Sequence, residues 1–79
     1  MSERVKLIWD FRGPNAQHIA QHHAKHLNEY VETKNLQNSF TGYEEISPMF
    51  HIAFLVAEKS QMNSLRETLK PTRGQLYDE

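Results

Sequence analysis

The chain has 79 residues, a formal net charge of −1 and no cysteine. This length suits one small domain over residues 1–79, and the lack of cysteine excludes disulfide bonds and thiolate metal ligands. The nine Lys and Arg residues are scattered along the chain, so we expect neither nucleic-acid binding nor membrane binding. The composition fits a cytoplasmic protein. A core of this size supplies only about 3–5 kcal/mol, so we also expect a homodimer.

The first predicted element is a strand over residues 4–12, in which Val5, Leu7, Trp9 and Phe11 alternate with more polar residues. A turn at Gly13-Pro14 leads into a helix over residues 15–34. We expect Asn15 to cap the start of this helix and Asn35 to close its end. Its apolar stripe is formed by Ala16, Ala20, Leu27 and Val31, with Ile19, Ala24 and Tyr30 beside it.

The second half of the chain predicts three or four further elements. A weak strand covers residues 40–46, and the most apolar run, over residues 49–57, predicts a central strand covered on both faces. A second helix is expected to begin after an N-cap at Ser60 and to end near Lys70, before Pro71. Residues 72–79 are either a short final strand or a tail.

This order, βαββα with or without a final strand, predicts an α+β fold of the ferredoxin-like, split β-α-β kind. Its antiparallel sheet would carry both helices on one face. In the central strand we expect Phe50, Ile52, Phe54 and Val56 to face the helices. The opposite face would then expose Ile8, Met49, Ala53 and Leu55, and an apolar face of that kind is a natural homodimer surface.

The segment His23-Ala24-Lys25-His26-Leu27, with Gly42 and the apolar run over residues 51–57, resembles the dimeric α+β barrel superfamily, and within it YciI-like proteins. The likeness covers about residues 17–71. It implies a sheet-to-sheet homodimer and a helix histidine, here His26 or the neighbouring His23, in acid/base catalysis. The family pattern also has Asp-Pro after the second helix, where this chain has Lys70-Pro71.

Four of the five histidines lie on the first helix. His18, His22 and His26 follow one another at intervals of four residues, which places their imidazoles on one side of a helix. Imidazole is a preferred ligand of first-row transition metals, so this spacing predicts a site for Zn²⁺ or Ni²⁺, with Glu29 one turn further on. The alternative is a solvated polar helix face, because these residues fall short of the four ligands of a structural zinc site.

Three further residues are candidates for binding a small-molecule ligand: Asp10 and Arg12, at the end of the first strand, and His51, expected on the dimer face. An ion pair and an interfacial hydrogen bond are the simpler explanations. His23 lies within the apolar stripe, where a hydrogen-bonded core histidine is the commoner finding.

The RNA-recognition motif shares the ferredoxin-like order and stacks bases on aromatic rings of its open sheet face. With Phe50 and Phe54 expected on the helix side, RNA binding is not predicted. Three hypotheses therefore remain: a homodimer that binds a small ligand or a protein partner, a dimeric α+β barrel enzyme, and a histidine-mediated metal binder.

Overall fold

The computed structural model describes residues 3–77, so Asp78 and Glu79, at the end of the predicted 72–79 segment, lie outside it. Four antiparallel strands form one sheet in the order β2-β3-β1-β4. The elements are β1 (Arg4–Arg12), α1 (Ala16–Lys34), β2 (Phe40–Ser47), β3 (Phe50–Glu58), a 3₁₀ turn (Lys59–Gln61), α2 (Met62–Leu69) and β4 (Arg73–Tyr77). This is the predicted α+β, split β-α-β arrangement, and the final strand is present.

Both helices pack on the same face of the sheet. Leu27 of α1 and Leu65 of α2 belong to one buried cluster. The sheet contributes to this cluster Val5, Leu7 and Trp9 from β1 and Ala53, Leu55 and Ala57 from β3. The predicted helix stripe is confirmed in its main part, because Ala16, Ala20, Ala24 and Leu27 are the buried residues of α1.

The predicted facing of β3 is wrong. Directly opposed residues of an antiparallel pair share a face, and the structure pairs Leu7 with Leu55 and Ile8 with Phe54. Leu55 therefore points toward the helices and is fully buried. The open face instead carries the side chains that were expected in the core, namely Phe50, Ile52, Phe54 and Val56.

Close helix packing explains this choice. Ala24 of α1 lies in the same buried cluster as Ala53 and Ala57 of β3. Small side chains on both elements let the helix approach the sheet closely, and larger rings at the β3 positions would hold it away. Alternation could not choose between the faces, because β3 is apolar on both.

The open face is partly covered by its own rings. Phe40 of β2 and Tyr77 of β4, on opposite edges of the sheet, bring their rings to 5.7 Å between centroids. Beneath them Val56 is fully buried, while Lys6 Nζ lies 4.5 Å from the centroid of the Phe54 ring. The residues predicted to form a bare apolar dimer surface therefore do not form one.

Both predicted helix N-caps differ from the structure. Asn15 makes no side-chain capping hydrogen bond, and Ser60 lies inside the 3₁₀ turn that precedes α2. Asn35 does close α1 in the left-handed conformation, with φ of 53°. The end of α2 is held against β1, because the Trp9 indole N–H donates to the carbonyl of Leu69 at 3.2 Å.

Candidate functional site

The four histidines of α1 divide between its two faces. His18, His22 and His26 are exposed, whereas His23 is half-buried against the sheet. The helical period produces this division, because the buried positions Ala16, Ala20, Ala24 and Leu27 fix which side of α1 meets the core. The candidate site therefore lies on the outer side of α1.

His22 and His26 are in direct contact. Their Nε2 atoms are 3.0 Å apart, and the ring planes are inclined at 67°. This contact is a hydrogen bond, in which the Nε2–H of one ring donates to the Nε2 lone pair of the other. The same nitrogen of each ring thus takes part in the contact.

Glu29 lies on the other side of the His26 ring, with its Oε1 3.4 Å from His26 Nδ1. At this separation the carboxylate attracts a proton on Nδ1 and favours the tautomer whose lone pair is on Nε2. A carboxylate behind a histidine is the usual outer-shell arrangement at metal sites, where it orients the ring and makes the ligand more basic.

The spacing of the two nitrogens fits metal coordination. With metal–nitrogen bonds of about 2.0–2.1 Å, two ligands lie about 3.3 Å apart at a tetrahedral centre and about 2.9 Å apart at a 90° centre. The observed 3.0 Å is close to both values. At this separation a divalent ion can bind both nitrogens once each ring has turned its Nε2 lone pair from the other nitrogen toward the ion.

The structure assembles two of the three predicted histidine ligands. A surface cavity of about 370 Å³ is lined by His18, Ile19, His22, His23 and His26. Across residues 3–77, however, no group of three or more His, Asp, Glu or Cys side chains is placed to hold an ion. His18 thus lines the cavity, and the two predicted ligands that are in contact with each other are His22 and His26.

His23 belongs to the core side of the cavity. Its ring centroid is 5.0 Å from that of Trp9 and 5.5 Å from that of Phe11. Within residues 3–77 its buried Nε2 has no hydrogen-bond partner, so the predicted hydrogen-bonded core histidine is wrong for this atom. Burial lowers the pKa of His23 below its ordinary value of 6.5, and the neighbouring His26 lowers it further.

The predicted small-ligand residues are not brought together. His51 opposes Phe11, so it lies under the helices, where it is 3% exposed. Its Nε2 is 3.9 Å from Glu45 Oε1. Its expected place on a dimer face is therefore wrong. Asp10 and Arg12 lie on the opposite, open face.

Asp10 and Arg12 each contact another side chain of the open face. Asp10 accepts from the Arg73 guanidinium at 3.3 Å, and its backbone N–H donates to the hydroxyl of Thr72. The guanidinium carbon of Arg12 lies 3.9 Å from the centroid of the Phe50 ring. The simpler explanation of Asp10 as an ion-pair residue is thus observed.

No protein-family model, curated protein or solved structure matches this chain. Within residues 3–77, neither helix has the length and apolar character needed to cross a membrane.

Proposed function

We propose that this protein binds a divalent first-row transition metal ion, Zn²⁺ or Ni²⁺, through His22 and His26. The observation that carries the proposal is the 3.0 Å separation of the two Nε2 atoms, with the Glu29 carboxylate behind one of the rings. Imidazole nitrogens are good ligands for both ions. Water completes the coordination in a single chain, so the affinity of this two-ligand site is modest.

The first test is a thermal melt with increasing Zn²⁺ or Ni²⁺. An ion that binds only the folded chain adds about 2.7 kcal/mol to the free energy of unfolding at a hundred times its dissociation constant. For a domain of this size that gain raises the melting temperature by more than about 10 °C. Mg²⁺ should produce no such rise, because it prefers oxygen ligands.

His22→Ala is the decisive variant, because it removes one ligand of the pair from an exposed position where no core contact is lost. We expect it to abolish the rise in melting temperature while leaving the metal-free melt unchanged. His18→Ala is the matched control, since it removes an exposed histidine of the same helix that is not in the pair. An equal rise in wild type and His22→Ala would refute the proposal.

The other hypotheses remain proposals with weaker support. An acid/base role for His26 or His23 is favoured by the cavity that both line and by burial, which lowers the pKa of His23 and so favours its neutral imidazole. This cavity is an open depression rather than a closed substrate pocket. That the protein forms a homodimer, is located in the cytoplasm and binds a small ligand or a protein partner remain predictions.

A further inference from the structure

We propose that the metal ion is shared between two copies of this chain, which dimerise through the outer side of α1. This inference rests on the proposed metal binding by His22 and His26 and names the partner that completes the site. The ion would then be held by four imidazoles, two from each chain. Metal supply would thereby control the oligomeric state.

The number of ligands is the first argument. A structural zinc site takes four protein ligands in tetrahedral geometry, and the described part of the chain brings no third one to the pair. A copy of the chain contributes the same two imidazoles. Two-fold symmetry therefore turns an incomplete pair into a complete set without any other partner.

The geometry of α1 permits this approach. His22 and His26 are one helical turn apart and both exposed. A two-fold axis through the ion and across the helix places His22 of each chain opposite His26 of the other. The two Nε2 atoms are 3.0 Å apart and belong to exposed side chains, so the pair lies where a second chain can reach it.

Ile19 gives the second argument. Its side chain is 47% exposed and lines the same cavity as the histidine pair. It lies one turn before His22, so a second copy of α1 seated on the ion would cover it. Burial of one isoleucine per chain adds a hydrophobic contribution to the metal–ligand bonds.

The open sheet face has less unburied apolar surface at its centre for a second chain to cover. Ile8, Ile52 and Val56, which lie at its centre, are already buried within one chain. Rings from both edge strands cover one end of this face. The sheet face that was predicted to form a sheet-to-sheet dimer is therefore already largely buried at its centre within a single chain.

The test is sedimentation velocity of the full chain during a ZnCl₂ titration, with EDTA as the metal-free reference. We expect monomers in EDTA and a rise to twice the 9.3 kDa of one chain. The dimer fraction should peak at one ion per two chains. Excess Zn²⁺ should lower it again, because each chain then holds its own ion. His22→Ala should remain monomeric throughout.

Ile19→Gln separates sharing from binding. It keeps both ligands and the side-chain length but removes the apolar contact, so the dimer should dissociate at least about tenfold more readily while Zn²⁺ still binds. Leu76→Gln is the matched control, because Leu76 is also an exposed apolar residue, at 63%, but lies on β4. This variant should behave as wild type.

The remaining outcomes are distinguishable. One ion bound per monomeric chain would overturn sharing and leave metal binding in place. A dimer that persists in EDTA and in His22→Ala would overturn the shared site and direct attention to the sheet face. Failure to bind Zn²⁺ or Ni²⁺ at all would overturn the proposed function and this inference together.

Discussion

Replacing Glu29 with Gln tests whether the carboxylate behind His26 supports metal binding. The change keeps the size of the side chain but removes the charge that lies 3.4 Å from His26 Nδ1. Loss of an outer-shell partner typically costs about 10–100-fold in metal affinity. His26 and Glu29 are 61% and 57% exposed, so solvent screening places the effect at the lower end. We therefore expect about a tenfold loss, or about 1.4 kcal/mol.

Isothermal titration calorimetry with Ni²⁺ measures this loss directly. Glu32→Gln is the matched control, because it removes the same charge from the same helix and its carboxylate contacts Asn28 instead of a histidine. If the Glu29 carboxylate raises Ni²⁺ affinity by acting on the His26 ring, Glu29→Gln should weaken Ni²⁺ binding clearly more than Glu32→Gln does. Equal losses in the two Gln variants would mean that general electrostatics, and not an oriented ligand, explains the result.

Three further changes test the core and the register. His23→Phe, studied in EDTA, should flatten the pH dependence of stability. The folded-state pKa of His23 lies below 6.5, so the unfolded chain binds a proton more readily than the folded chain does. His23 therefore lowers the free energy of unfolding as the pH falls from 6.5 through that pKa. If the pH dependence of urea denaturation between pH 7.5 and 5 were the same in His23→Phe as in wild type, this prediction would be contradicted. Leu55→Glu should unfold the chain rather than yield folded monomers, since losing buried leucine contacts costs about 2–5 kcal/mol. Phe54→Gln, on the open face, should still melt cooperatively when followed by circular dichroism. Trp9→Phe should cost about 1 kcal/mol in urea denaturation through the lost hydrogen bond to the end of α2, and a neutral result would show that this bond does not hold the helix.

The fold was predictable because its signals are local. Alternation over β1, the apolar stripe of α1 and the turn at Gly13-Pro14 each follow from short-range geometry, and the order of the elements then limits the topology. The facing of β3 was not predictable in this way, because both of its faces are apolar. Residue size suggested that Phe50 and Phe54 belong in the core. The alanines of α1 contained the opposite signal, since a small-residue stripe requires a close and equally small surface on the sheet.

The same correction changes the argument about the open face. RNA binding was not predicted, partly because Phe50 and Phe54 were expected under the helices. They lie on the open face, where Lys6 and Arg12 sit over their rings. The other reasons do not depend on the register: the chain has ten acidic residues against nine scattered basic ones, proteins bind single-stranded nucleic acid along a positively charged groove, and the Arg/Lys-Gly-aromatic signature of the motif is absent from the sequence. The prediction against nucleic acid therefore stands on charge and on the absent signature, and no longer on register.

The histidines of the candidate site were predictable because the helix on which they lie was predictable. Spacing of four residues identified the possible ligands, and it could do so because α1 is regular from Ala16 to Lys34. Spacing alone could not show that His22 and His26 converge while His18 stays apart, since both pairs have the same separation in sequence. That difference depends on side-chain rotation and on Glu29, which lies three residues after His26 and has its carboxylate 3.4 Å from the His26 ring. Periodicity thus selects a helix face, and side-chain geometry determines which two histidines on that face are in contact.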